Sequence, residues 1–172
     1  KASRYEDAIT AYTRVLERDP TDVEALYAQA SVLTLLGWYN EAIESIDGII
    51  SIRPEDPALL FMRGTVLERS GRYSDALETY ERALKVAPDD VAVLNATGIL
   101  LDALGRHSDA VKTLDTAIGI DPANIHTRLC KGIAFGRLGR YDQAIACFDD
   151  VLEMAPENAR AWYLKGRALD RQ

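Results

Sequence analysis

Apolar residues recur in steps of three and four along the chain, the spacing of one buried face of an α-helix. Over 57–90 the set Leu59, Leu60, Met62, Val66 and Leu67 keeps this spacing. After Gly71, so does the set Ala76, Leu77, Tyr80, Ala83, Leu84 and Ala87. Each stretch is about 14 residues, an ordinary helix length, and strand-like alternation is absent. Polar residues punctuate the pattern. Asp22, Asp56, Asp90, Asn124 and Asn158 stand just before the first helix of each pair, where a short side-chain acceptor caps free N–H groups. Pro57 occupies the first helical position, where a missing N–H costs nothing. Gly37, Gly71, Gly105 and Gly139 end the first helices. Asn40, Ser74, Ser108 and Asp142 are expected to cap the second helices, and prolines close those. The pattern predicts helix, turn, helix, turn, repeated.

The repetition has a fixed period. Gly37, Gly71, Gly105 and Gly139 are 34 residues apart, as are Pro20, Pro54, Pro88, Pro122 and Pro156. Ala8, Ala42, Ala76, Ala110 and Ala144 keep the same step, and so do Ala30, Gly64, Gly98, Gly132 and Gly166. Periods of this size mark solenoids. The expected fold class is all-α, an α-α superhelix of stacked antiparallel helix hairpins. One array over 1–172 is expected, with complete units at 23–56, 57–90, 91–124 and 125–158. Residues 1–22 read as the back helix of a partial repeat and 159–172 as the front helix of another, as in a piece of a longer protein. The small residues predict close approach within each hairpin, Gly64 against Ala76, while Leu60, Leu77, Tyr80 and Leu84 fill the space between hairpins. No hairpin buries its apolar face alone, so stability comes from stacking.

The pattern resembles the tetratricopeptide repeat family over the whole chain. That family's unit of 34 residues has a small residue at the eighth place, alanine at the twentieth and proline at the thirty-second. Those places are filled here by Ala30, Gly64, Gly98 and Gly132, by Ala42, Ala76, Ala110 and Ala144, and by Pro54, Pro88, Pro122 and Pro156. The fourth place holds Leu26, Leu60, Leu94 and Trp162 but departs at Arg128. His107 replaces the tyrosine of Tyr39, Tyr73 and Tyr141 and reads as a packing substitute. Trp38 stands where the family prefers a polar residue, and reads as packing beneath the turn, with an outer contact as the alternative.

The net charge of −7 and pI near 4.9 argue against nucleic acid as a partner. No apolar run reaches the length of a membrane span. Two cysteines, Cys130 and Cys147, are too few for a disulfide framework and suggest a reducing, cytoplasmic setting. There is no phosphate loop, His107 and His126 lack a partner at metal spacing, and Asp149 and Asp150 look like a solvated face. The expectation is a protein without catalytic residues, metal or cofactor.

Binding is where the units differ. The resemblance implies that one stripe of each front helix lines a concave groove for a partner peptide. Along it lie Tyr27, Ser31, Phe61, Thr65, Glu68, Asn95, Ile99, Asp102, His126, Leu129, Ile133, Arg137, Tyr163 and Arg167. The stripe is aromatic at its front end, aliphatic in the middle and basic toward its back end. The family's carboxylate clamp is absent, because Tyr27, Ser31, Met62, Ala92 and Ala96 stand in its places. The implied function is a protein-interaction scaffold that takes a protein or peptide ligand with apolar anchors and an acidic group toward the back. Two alternatives stand beside it: a substrate-presenting arm of a larger enzyme such as a glycosyltransferase, and an array that self-associates through its uncapped ends.

Overall fold

The structure, a computed structural model, describes residues 2–172, so Lys1, at the start of the first partial repeat, lies outside the described residues. Two compact units, Lys1–Pro88 and Asp89–Gln172, divide the chain. The first holds α1 (Ala2–Leu16), α2 (Val23–Leu36), α3 (Tyr39–Ile52), α4 (Pro57–Arg69) and α5 (Tyr73–Val86). The second holds α6 (Val91–Ala103), α7 (His107–Ile120), α8 (Ile125–Arg137), α9 (Tyr141–Met154) and α10 (Ala159–Leu169). The described residues contain no strand. Within each unit, consecutive helices pack as stacked antiparallel hairpins, the all-α solenoid arrangement.

The front-helix caps form as the sequence predicts. Asp22 accepts from the Ala25 N–H at 2.9 Å, and Asp90 accepts from both Ala92 and Val93. Asp56, Asn124 and Asn158 do the same for α4, α8 and α10. The turns into the back helices run through left-handed glycines, with φ of 80° at Gly71 and 79° at Gly105. There Gly71 N–H bonds the Glu68 carbonyl and Arg72 N–H bonds that of Leu67, the paired bonds of a Schellman stop.

That stop overturns the expected caps of the back helices. These helices begin at Tyr39, Tyr73, His107 and Tyr141, so Asn40, Ser74, Ser108 and Asp142 already lie inside the first turn. The residue in cap position is Trp38, Arg72, Arg106 or Arg140, and none of them makes a side-chain cap bond. The reason is economy of chain. Arg72 donates its N–H backward to Leu67 while its carbonyl accepts from Ala76 at 3.0 Å, so one residue ends α4 and starts α5. No room remains for a separate capping residue. Instead Arg72 and Arg106 pair with the first-turn acids Asp75 and Asp109.

Packing inside the hairpins also differs from expectation. A methyl group at Gly64 would strike the Tyr80 ring, one at Gly98 would stand 2.7 Å from Leu114, and one at Gly132 would stand 2.5 Å from Phe148. The eighth-place glycine therefore makes room for the large residue sixteen positions later. Tyr80 accordingly lies within its own hairpin, against Gly64 and Phe61, its ring centroid 5.8 Å from that of Phe61. Burying such side chains is worth roughly 1.5–3 kcal/mol each. Between hairpins of the first unit, Leu26, Ile49 and Leu59 form a core joined by Leu16, Val23 and Ile50.

A ladder of polar bonds sixteen residues apart, not foreseen from the sequence, joins successive helices. Arg63 on α4 bridges Asp47 on α3 and Thr79 on α5. In the second unit Lys131 pairs with Asp115 and Lys165 with Asp149. Asp150 binds Arg128, so neither acid of the Asp149–Asp150 pair is merely solvated. Arg128, the departure at the fourth place, also donates to the Pro122 carbonyl at 2.8 Å. Trp162, one period later, donates its indole N–H to the Pro156 carbonyl at the same distance. Two unlike side chains thus fasten the equivalent loop in successive repeats.

Candidate functional site

The front helices of each unit carry the residues selected from the sequence. In the first unit these sit on α2 and α4. Tyr27 is exposed, and Ser31 folds its hydroxyl onto the Tyr27 carbonyl. Phe61, Thr65 and Glu68 are half-buried. Behind them the Tyr80 hydroxyl donates to Glu68 at 3.0 Å and reaches Thr65 at 3.4 Å. Burial pushes the Tyr80 phenol well above its usual range, so the hydroxyl keeps its proton far into alkaline pH.

In the second unit the selected residues sit on α6, α8 and α10. Five of them, Ile99, Asp102, His126, Ile133 and Arg137, line one cleft of about 230 Å³ together with Cys130 and Arg160. Its walls come mainly from α6 and α8, with Leu114 of α7 and Arg160 of α10 completing the lining. Asn95 lies nearby on α6 and accepts from the Thr127 hydroxyl at 2.8 Å, fastening α6 to α8. Leu129 turns into the core, 4 % exposed, and offers little surface to a ligand. Tyr163 and Arg167 stack on each other, the guanidinium 5.8 Å from the ring centre, on the exposed side of α10. Arg167 also borders a smaller hollow between α8 and α10, which shares Ile133 and Arg137 with the cleft.

Charge in the cleft is partly spent within it. Asp102 is 9 % exposed and holds two partners: Arg137 Nη1 at 2.6 Å on one oxygen and His107 Nδ1 at 2.6 Å on the other. His107 is thus a hydrogen-bonding partner of a buried carboxylate, not the packing substitute expected at a tyrosine position. The signal in the sequence was the departure from tyrosine itself, at a place five residues after an acid, Asp102. Arg160 makes no ion pair among the described residues.

His126 does have a sulfur partner, Cys130 Sγ at 3.7 Å from Nε2, one helical turn away. Burial pushes the Cys130 thiol up, against a smaller opposing effect of Arg160. No group of three or more metal-ligating side chains occurs among the described residues. No described helix is long and apolar enough to cross a membrane.

Stacked hairpins, single-residue joints and a variable stripe on the front helices define a helical-repeat interaction scaffold. A tetratricopeptide repeat model matches residues 61–125 and 131–172, and a model of subunit 3 of the anaphase-promoting complex, or cyclosome, matches residues 1–83. The chain belongs to the tetratricopeptide repeat family.

Solved structures share its fold. MamA is 24 % identical with a TM-score of 0.82, over 92 % of this chain and 93 % of that one. YrrB, described as a TPR protein with an unusual peptide-binding site, is 22 % identical with a TM-score of 0.82, over 96 % and 85 %. A tetratricopeptide repeat protein from Parabacteroides merdae is 17 % identical with a TM-score of 0.87, over 99 % and 68 %. No curated protein sequence matches the chain.

Proposed function

We propose that the chain is a non-catalytic scaffold that holds a segment of a partner protein against its front helices, with the α6–α8 cleft as the specific site. The cleft itself carries this reading. Ile99 and Ile133 give it apolar walls, while Arg137 and Arg160 put guanidinium groups at its edge. Its volume of about 230 Å³ is smaller than the several hundred Å³ of small-molecule sites, and suits one anchoring side chain of a peptide. Arginine beside an apolar pocket is a common anchor arrangement in interfaces.

The acidic group of the ligand belongs beside Arg160. Arg137 already serves Asp102, whereas Arg160 is exposed and unengaged among the described residues. On the first unit, Tyr27 and Phe61 offer a separate aromatic contact surface.

A peptide of leucine and glutamate, titrated by calorimetry, tests the reading. Arg160→Glu is expected to weaken binding about tenfold or more, with a slower on-rate. Ile133→Ser is expected to weaken it by removing an apolar wall. Equal affinity of both variants and the wild type contradicts the assignment.

A further inference from the structure

We propose a second docking site, on the first unit, for a lysine- or arginine-bearing segment of a partner protein. The place is a hollow of about 430 Å³ between α1, α2 and α3, away from the residues assigned above. Ile9, Leu26 and Leu33 line it with apolar surface, Glu41 and Glu44 supply carboxylates, and Trp38 stands at its side, 43 % exposed. Three helices thus build a concavity in which an indole and two acids face the same space.

Charge decides the occupant. From 19 to 52 the chain contains no Lys, Arg or His, but it contains Asp19, Asp22, Glu24, Glu41, Glu44 and Asp47. The next repeat, by contrast, carries Arg63, Arg69, Arg72, Arg82 and Lys85. Helix α1, the third wall, is balanced, with Arg4 and Arg14 against Glu6 and Asp7. Asp47 is engaged by Arg63, while Glu41 and Glu44 enter no ion pair among the described residues. Low-dielectric walls lined by one sign of charge focus the field and draw in the opposite sign. Phosphate backbones and anionic lipid surfaces are repelled by the same field.

The chemistry of lysine and arginine fits the rest of the hollow. Their methylene stems pack along apolar surface while the cationic head stays near carboxylates and water. A cation over an indole face is attracted by the ring quadrupole, and tryptophan is the best of the aromatic faces for this. This accounts for a large exposed aromatic at a turn where the repeat needs only a joint between two helices. The polar floor is already satisfied: Ser45 donates to Gln29, and Gln29 donates to Thr13. Specificity therefore rests with Trp38 and the two glutamates.

Trp38 reports directly on occupancy. In a Trp162→Phe background, Trp38 is the one remaining tryptophan. A peptide of lysine and leucine is expected to change its emission saturably, and added salt is expected to weaken the binding. Glu41→Gln with Glu44→Gln, nearly isosteric and on exposed positions, is expected to weaken it about tenfold. Glu44→Gln alone should give an intermediate loss, with circular dichroism unchanged in every variant. Arg160→Glu should leave this response untouched, which separates the site from the α6–α8 cleft. An equal response to a glutamate–leucine peptide, no response to either peptide, or unaltered binding by the double variant overturns the proposal.

Discussion

Arg137 reaches back one repeat to Asp102, its Nη1 2.6 Å from the carboxylate, while His107 holds the other carboxylate oxygen at the same distance. The acid is buried and the arginine is half exposed, so the two members of the pair have unequal fates when the other is removed. Arg137→Ala strands a buried carboxylate on one remaining partner and is expected to cost about 1–3 kcal/mol, the penalty of a buried group that has lost a hydrogen-bond partner. Asp102→Ala releases Arg137 to solvent and is expected to cost about 1–2 kcal/mol. The double variant should cost less than the sum, as coupled neighbours do. Urea denaturation of the four proteins measures the cycle.

Hairpin closure depends on glycine only where a large residue descends onto it. Gly98→Ala places a methyl 2.7 Å from Leu114 and is expected to destabilise by about 1–3 kcal/mol. Gly136, inside α8, has open space at the same point, so Gly136→Ala is expected to stabilise by about 0.5–1 kcal/mol through helix propensity. Thermal melts of the two variants should move in opposite directions.

Capping should also be asymmetric. Asp90 accepts two backbone N–H groups at the start of α6, and Asp90→Ala is expected to cost about 1 kcal/mol. Ser74 and Ser108 sit inside the first turn, where alanine is the better helix former, so Ser74→Ala and Ser108→Ala should cost nothing measurable. Chemical denaturation distinguishes the two classes.

Alkaline stability follows from burial of acidic groups in their neutral forms. Burial pushes both Cys130 and Cys147 above the ordinary thiol value of 9.0, and Tyr80 above the ordinary phenol value of 10.0. The unfolded chain ionises these groups first, so it binds fewer protons than the folded chain above pH 9. Stability is therefore whole below the ordinary values and falls as pH rises beyond them. Cys147→Ser is expected to flatten the fall in a melt series from neutral to alkaline pH.

Much of the architecture was legible because it rests on local rules repeated in register. A capping acid, a left-handed glycine and an apolar face each have a short-range cause, and each recurs every 34 residues. The back-helix caps were misread because a serine such as Ser74 near a helix start has the right chemistry, whereas the Schellman stop already commits Arg72. The Gly64–Tyr80 contact and the Arg63–Asp47 rung depend on which face each helix turns to its neighbour, a tertiary relation that composition does not show. At the candidate site, helical spacing placed Ile99, Ile133 and Arg137 on a common stripe. The same spacing could not reveal that Asp102 would claim Arg137, or that Leu129 would turn inward. The hollow beside Trp38 was missed for a similar reason, since its three walls come from three separate helices.

Amide and methyl NMR mapping during titration with the leucine–glutamate peptide tests the central claim most directly. The account predicts saturable shifts at Ile99, Ile133 and Arg160 on the α6–α8 cleft, abolished or greatly reduced in Arg160→Glu. Shifts confined to other positions, such as Lys112 or the exposed side of α9, or equal shifts in the variant, would contradict it.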